Sequence, residues 1–278
     1  MGFFKIHSFA SIGMTLALMC CWAAILAHSR KMSLLMFSGF GLACFACLLS
    51  GARGAWLAVL SGLVLLIIFN PKAWTVRKRA VITLCSVVLI SATYYALPIV
   101  HKRVDIAVSQ FNAYFSEGAV KQSSAGLRLE VWRAAMISVE ESPWLGIGAG
   151  SFNDRITDLV GRGKVDPAIA GLGHVHNEYL IAALHRGIPG LISLLFLLLV
   201  PLYAFIKHYH EVRDCDQLLL GYGIVMIVGA MTMSFTDVYF QHHQESLFFA
   251  FYVFLIYGLV FSGSEKVKIE KAFVENSS

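Results

Sequence analysis

Apolar residues in this chain come in uninterrupted runs long enough to cross a lipid bilayer, and that constrains the fold more than any motif. A helix needs roughly 20 apolar residues to span the hydrocarbon core. Seven stretches approach or meet that length, near residues 8–27, 32–49, 54–69, 80–98, 187–206, 217–236 and 246–262. The stretch from Met32 to Phe69 is too long for one crossing: as a single helix it would reach about 57 Å against a core of about 30 Å. It must turn, and Ser50-Gly51-Ala52-Arg53-Gly54 is the place, because its two glycines relax the backbone. Composition agrees: of 278 residues 58% are hydrophobic and only 14% charged, whereas soluble domains carry about a quarter charged. The first apolar run has no small-residue cleavage site behind it and more spans follow, so it reads as a span rather than a removable signal. The expected fold class is therefore all-α, a polytopic transmembrane helical bundle of about seven spans.

Charge placement orients the bundle. Lys72, Arg77, Lys78 and Arg79 lie in one short loop, Lys207 and Arg213 in another, and Lys266, Lys268 and Lys271 in the tail. Short basic loops stay cytoplasmic, and an even number of spans separates each pair of these three segments. The formal charge of +5 is thereby used in orientation, so no nucleic-acid partner is expected. The division that follows is 1–98 for the N-terminal spans, 99–186 for a large outer loop, 187–262 for the C-terminal spans and 263–278 for a cytoplasmic tail. The parity puts the N-terminus, with Lys5, outside, which is unusual. It suggests that this chain is the C-terminal part of a longer protein. Five of the six cysteines lie inside apolar runs and Cys215 lies in a short polar loop. The Cys44-x-x-Cys47 pair sits in a lipid-embedded helix and reads as packing, since redox or zinc sites need polar access.

Residues 99–186 differ in kind. Nine basic side chains are balanced by nine acidic ones, so the loop should fold rather than trail as a tail. Long loops translocate largely regardless of charge, which allows it outside. Ser123 or Ser124 can cap a helix that runs to Glu141, where Pro143 stops it. Leu129, Trp132, Ala135, Met136 and Val139 recur at helical spacing, predicting an amphipathic helix that lies on the membrane face or on the bundle. Arg128 and Trp132 share a face one turn apart. Next, Pro143-Trp144-Leu145-Gly146-Ile147-Gly148-Ala149-Gly150 either forms a tight turn tucked against the bundle or offers backbone N–H groups to an anion. The turn is the preferred reading.

His174-Val175-His176-Asn177-Glu178 precedes His185-Arg186-Gly187-Ile188-Pro189-Gly190, predicting a short helix, a Gly/Pro break and then a span. Two histidines at i, i+2 fall short of the three protein ligands a zinc site wants. His101, His242 or His243 would have to complete one, and no metal is expected. His174 fits structural hydrogen bonding, and His176, beside Asn177 at the break, is the functional candidate. Arg53 stands between two spans at the membrane boundary. Ionisable residues there are costly and default to functional hypotheses, against the alternative of snorkelling to headgroups.

Four pieces in this order resemble the O-antigen ligase and polymerase superfamily of bacterial envelope glycosyltransferases. They are Ser50-Gly51-Ala52-Arg53-Gly54-Ala55, Arg128-Leu129 with Trp132, Ser142-Pro143-Trp144-Leu145-Gly146-Ile147-Gly148, and His174-Val175-His176-Asn177-Glu178-Tyr179-Leu180 with Gly187. The resemblance spans roughly residues 30–260. It implies a type-C glycosyltransferase fold in the bacterial inner membrane, with the active site facing the periplasm. It implies a glycan donor linked to undecaprenyl diphosphate, a lipid A core sugar hydroxyl as acceptor, inversion at the sugar, and no metal or other cofactor. The family's two essential arginines fall on Arg53 and Arg128 and its essential histidine on His176. His174, Asn177, Trp132 and Asp237 are the candidate substrate-binding residues, and Asp237 or Glu178 could orient the base or acceptor. Family members usually carry several more N-terminal spans than this chain.

The chemistry fits without the name. Arginine grips phosphate oxygens bidentately and keeps its charge, so two arginines suit a departing diphosphate. An imidazole is the side chain for taking a hydroxyl proton near neutral pH. Within the family the alternatives are an O-antigen polymerase or a protein O-oligosaccharyltransferase, which change only the acceptor. From other classes, an anion transporter lacks support in internal repeats or paired broken spans, and a metal-dependent membrane hydrolase needs ligands the sequence does not group.

Overall fold

A computed structural model of the chain describes residues 6–50, 61–62, 64, 94–95, 98–117, 124–209, 211–212 and 214–275. Among these the secondary structure is helical, without strand. The helices are α1 (Ile6–Leu26), α2 (Arg30–Ser50), α3 (Pro98–Glu117), α4 (Ser124–Glu141), α5 (Phe152–Gly161), α6 (Glu178–Tyr209), α7 (Asp214–Ser234) and α8 (His243–Glu275). Four are long and apolar enough to cross a membrane, over Ser8–Leu26, Glu178–Tyr209, Asp216–Ser234 and His243–Ser262. They match the sequence-predicted spans at 8–27, 187–206, 217–236 and 246–262, and α2 coincides with the one at 32–49. The predicted spans at 54–69 and 80–98 fall almost wholly outside the described residues, as does the Ser50–Gly54 turn. The chain divides into two compact units. One joins Met1–Phe69 to Leu195–Ser278, and the other is Asn70–Leu194.

The first unit is organised around α1, which packs on α2, α7 and α8. Ala10, Met14, Ala17, Leu18, Cys21 and Trp22 of α1 are all buried. A tight turn reverses the chain into α2, held by Ser33 Oγ donating to Ala24 O at 2.8 Å. Within a membrane there is no hydrophobic force between helices, so close packing and interhelical polar contacts hold them. Both are present here. A Cβ on Gly221 of α7 would lie 1.9 Å from the Trp22 indole nitrogen, and one on Gly223 would lie 2.4 Å from the Phe205 ring. Glycine therefore sets the closeness of these seams. Cys47 Sγ points at Ala10 O at 3.6 Å, and Cys44 and Cys47 are free thiols, in keeping with the packing role read for that pair. Near the start of α1, Ser11 Oγ donates to the buried Glu245 carboxylate in the first turn of α8 at 3.4 Å. Thr15 faces Gly229 and Trp22 faces Gly221, so α1 runs parallel to α8 and antiparallel to α7. The start of α1 and the 235–242 connection consequently lie at the same end of this unit.

In the second unit α4 is central, packed on α3, α5 and the short turn Pro167–Ile169. Helix α4 stops at Glu141, as Pro143 requires. Glu130, Val131, Ala134, Ala135 and Ser138 are inside, while Met136 is 49% exposed. Small residues face inward because α5 and the turn come close. The same face buries a carboxylate, Glu130, which is satisfied by accepting from Asp166 N at 2.9 Å and Arg133 Nη1 at 3.4 Å. Asp166 in turn caps the short turn, its Oδ1 accepting from Ala168 N at 2.7 Å.

A surface ion cluster closes α4 onto α5. Glu141 accepts from Lys164 at 2.8 Å, from Arg162 at 3.3 Å and from Arg155. Asp158 binds Arg155 at 2.9 Å and Arg162 at 2.5 Å. Hydrogen bonds from Lys164, then from Arg155 and Arg162, hold the Glu141 carboxyl down to about 2, below its ordinary 4.5. A carboxyl depressed by folding stabilises the fold above its unfolded value, and that contribution is lost as pH falls toward the folded value. Amide exchange over residues 141–164, corrected for intrinsic rate, should therefore rise as pH drops from about 4.5 toward about 2. Glu141→Gln should show the raised exchange already at neutral pH and little further acid dependence. In the first unit, Gly221→Val should lower the thermal midpoint in detergent, because overpacking of this kind costs about 1–3 kcal/mol. An unchanged midpoint would contradict the close α1–α7 seam.

Candidate functional site

Helix α4 is tied to the segment before α6 by a tryptophan hydrogen bond. The Trp132 indole Nε1 donates to Val175 O at 2.7 Å, while the Val175 side chain is itself 1% exposed. Two residues on, Asn177 caps α6, its Oδ1 accepting from Leu180 N at 3.0 Å, which is the ordinary N-cap geometry. His176 is held between these two fixed points and has a φ of 49°. Among the described residues it is the one non-glycine position with positive φ. Such a conformation costs about 1–3 kcal/mol and persists where the surroundings over-determine it, typically at functional sites. Here the pinned Val175 carbonyl and the Asn177 cap supply that determination. The ring centroids of His174 and His176 lie 6.1 Å apart, with His174 exposed and His176 half-buried. Arg128 projects from α4 one turn before Trp132 and is exposed.

The floor beneath this segment is a break in α6. Gly187 adopts φ 66°, ψ −164° inside the helix. That break frees the carbonyls of Leu184 and His185, and Pro189 has no N–H to offer the latter. The Pro143–Gly148 loop supplies the missing donors: Ile147 N reaches Leu184 O at 2.8 Å and Gly148 N reaches His185 O at 3.2 Å. In return Ile188 N donates to Pro143 O at 2.7 Å. Contact is close enough that a Cβ on Gly146 would lie 2.6 Å from Leu184 O, and one on Gly187 would lie 2.4 Å from Trp144 O. Both glycines also have left-handed φ, 68° and 66°. The loop is thus the tight turn preferred from sequence. Gly146, Ile147 and Gly148 spend their N–H groups on Ser142, Leu184 and His185 rather than on an anion.

The sequence-predicted residues are distributed as follows. Arg53 lies outside the described residues. Arg128, Trp132, His174, His176 and Asn177 belong to the second unit, and the Trp132 bond joins the two segments that carry them. Trp132, expected at the substrate, holds the histidine segment by its backbone. Asn177, expected at the substrate, is 6% exposed and caps the helix. Asp237 belongs to the first unit, where its Oδ1 accepts from Val238 N at 2.9 Å and lies 3.8 Å from His242 Nε2. His101 lies 3.2 Å from Asp105. Among the described residues no three His, Cys, Asp or Glu side chains are grouped so as to hold a metal. Sequence reasoning missed Glu130 and the exchange between the glycine loop and the α6 break. The second left a signal: a glycine two residues before a proline inside an apolar helix leaves carbonyls that some nearby segment must satisfy.

The apolar helices and the folded second unit define a multi-pass, helical membrane protein. A family model described as O-antigen ligase matches residues 38–195, and the chain belongs to that family. The matched region contains Arg53, Arg128, Trp132, His174, His176 and Asn177 and excludes Asp237. The chain is also similar to an uncharacterized protein of Haemophilus influenzae, 28% identical over 222 residues, covering 79% of this chain and 55% of that protein. It thus spans about half the length of this curated relative.

Trp132→Phe keeps an aromatic ring on α4 and removes the donor. It should raise amide exchange over residues 173–178 several-fold, in line with about 1 kcal/mol for one hydrogen bond, while residues 131–139 of α4 keep their protection. Unchanged exchange in the histidine segment would show that the bond does not hold it.

Proposed function

We propose that this chain carries out the transfer step of an O-antigen ligase on the periplasmic face of the bacterial inner membrane. The donor is a glycan on undecaprenyl diphosphate and the acceptor is a sugar hydroxyl of the lipid A core. In this reading the fold is a type-C glycosyltransferase bundle of seven spans, with residues 99–186 as its outer loop. His176 takes the proton of the acceptor hydroxyl. The acceptor oxygen attacks the anomeric carbon from the face opposite the diphosphate, the carbon–oxygen bond to the diphosphate breaks, and configuration inverts. Undecaprenyl diphosphate leaves with the bonding pair, and Arg53 and Arg128 stabilise the charge that develops on it. No metal, nucleotide or other cofactor takes part in any of these steps.

Family membership supports the class of reaction. The observation that carries the residue assignment is the Trp132–Val175 bond. It fixes the segment bearing His176 to the helix that bears Arg128, one turn from the anchoring indole. The left-handed backbone of His176 supports the same assignment, since strain of this kind persists where a side chain must be aimed.

Complementation of a ligase-null strain, read on a lipopolysaccharide gel, tests the proposal. The chain should restore the O-antigen ladder. Arg53→Ala, Arg128→Ala and His176→Ala should each abolish it at unchanged protein level, and Arg53→Lys should fail as well because the bidentate grip is lost. A ladder surviving all three alanine changes would refute the site. Loss of the native gene also discriminates the acceptor: core alone marks a ligase, whereas core plus a single repeat marks a polymerase.

A further inference from the structure

Helix α6 is 32 residues long, about 48 Å at 1.5 Å per residue, and so overshoots a hydrocarbon core of about 30 Å. The break at Gly187 divides it. From Ile188 to Tyr209 the helix is about 33 Å long, which matches the core. Before the break it carries Glu178, His185 and Arg186, whereas the exposed positions of the first turn and a half after it, Ile188, Pro189, Ile192 and Ser193, carry no charge, and Ile188 and Ile192 are 36% and 46% exposed. The membrane boundary on this helix therefore falls at the break.

At that break the glycine loop presents its two bulkiest apolar side chains. Trp144 is 69% exposed and Leu145 is 86% exposed. Their position is fixed by the backbone. Ile188 N is bonded to the carbonyl of Pro143, and the Trp144 carbonyl lies against Gly187. Arg186, also exposed, stands one residue before the break. An exposed tryptophan and an exposed arginine at the first turn of a spanning stretch are the residues that settle at the headgroup level of a bilayer. Leucine beside them has no aqueous role.

We propose that Trp144 and Leu145 insert into the boundary between lipid headgroups and acyl chains, as an anchor that fixes how deep the second unit sits in the bilayer. The occupant of this exposed apolar tip is lipid, because the tip is continuous with the outward apolar face of a membrane span. The anchor also sets the height of the His176 segment. Both are tied to the same stretch of α6, the tip through the Gly187 break and the histidine through the Asn177 cap.

The test compares wild-type protein with Trp144→Phe, each reconstituted in phosphatidylcholine nanodiscs. The difference between their tryptophan emissions isolates Trp144. That difference should be quenched strongly by phosphatidylcholine brominated near the headgroup, less by lipid brominated near the chain ends, and little by iodide in the water. Quenching by iodide without quenching by either brominated lipid would place the tip in water and overturn the proposal. Protection from all three quenchers would place it against protein and overturn it equally. Because Trp144 is surface-exposed, Trp144→Phe should fold normally, and an unchanged thermal midpoint confirms that the comparison is valid.

Discussion

The exchange of hydrogen bonds between the Pro143–Gly148 loop and the break in α6 is the interaction on which the second unit depends. A helix that bends inside an apolar run leaves main-chain groups without partners, and in or near lipid that cost is several kcal/mol per group. Ile147 and Gly148 meet the carbonyls of Leu184 and His185, and Ile188 meets Pro143. The break is therefore fully served from a loop some forty residues earlier in the chain. With α6 bent at a defined place, its N-terminal part can carry the Asn177 cap and the strained His176 at its start. Trp132 then closes the arrangement from α4.

Much of the membrane architecture was legible in the sequence, because span length is set by bilayer thickness and apolar runs record it directly. The ends of α1, α2 and α7 fall within a few residues of the predicted spans. Helix α4 was also readable, from its serine cap and terminating proline. Its packing was less so. The periodic set held Ala135, which is buried, and Met136, which is exposed, while Ala134, Ser138 and Glu130 are buried as well, because close neighbours select small side chains and tertiary partners decide which polar groups can be satisfied. Such partners leave no periodic trace.

The candidate site divides in the same way. Arg128, His174 and His176 were singled out by residue type and placement, and the backbone of His176 adds physical weight to that choice. Trp132 and Asn177 were singled out for contacts with substrate, and the structure adds what each does to the histidine segment: one grips its backbone, the other starts the helix after it. Side chains that hold a functional segment and side chains that touch a ligand look alike in a sequence, since both are polar or aromatic residues beside the reactive group. Only the hydrogen-bond partner separates them.

The first unit is assembled from both ends of the chain, with residues 70–194 emerging between them. Helix α1 therefore enters the bilayer long before α7 and α8 exist to cover it. Its Ser8, Ser11 and Thr15, all buried in the finished protein, spend that interval facing lipid, α2 or the insertion machinery. The part of the α1 face that α7 and α8 cover in the finished protein therefore waits through the synthesis of the intervening segment. Helices α7 and α8 then cover that face, with Glu245 meeting Ser11 once α8 has been made.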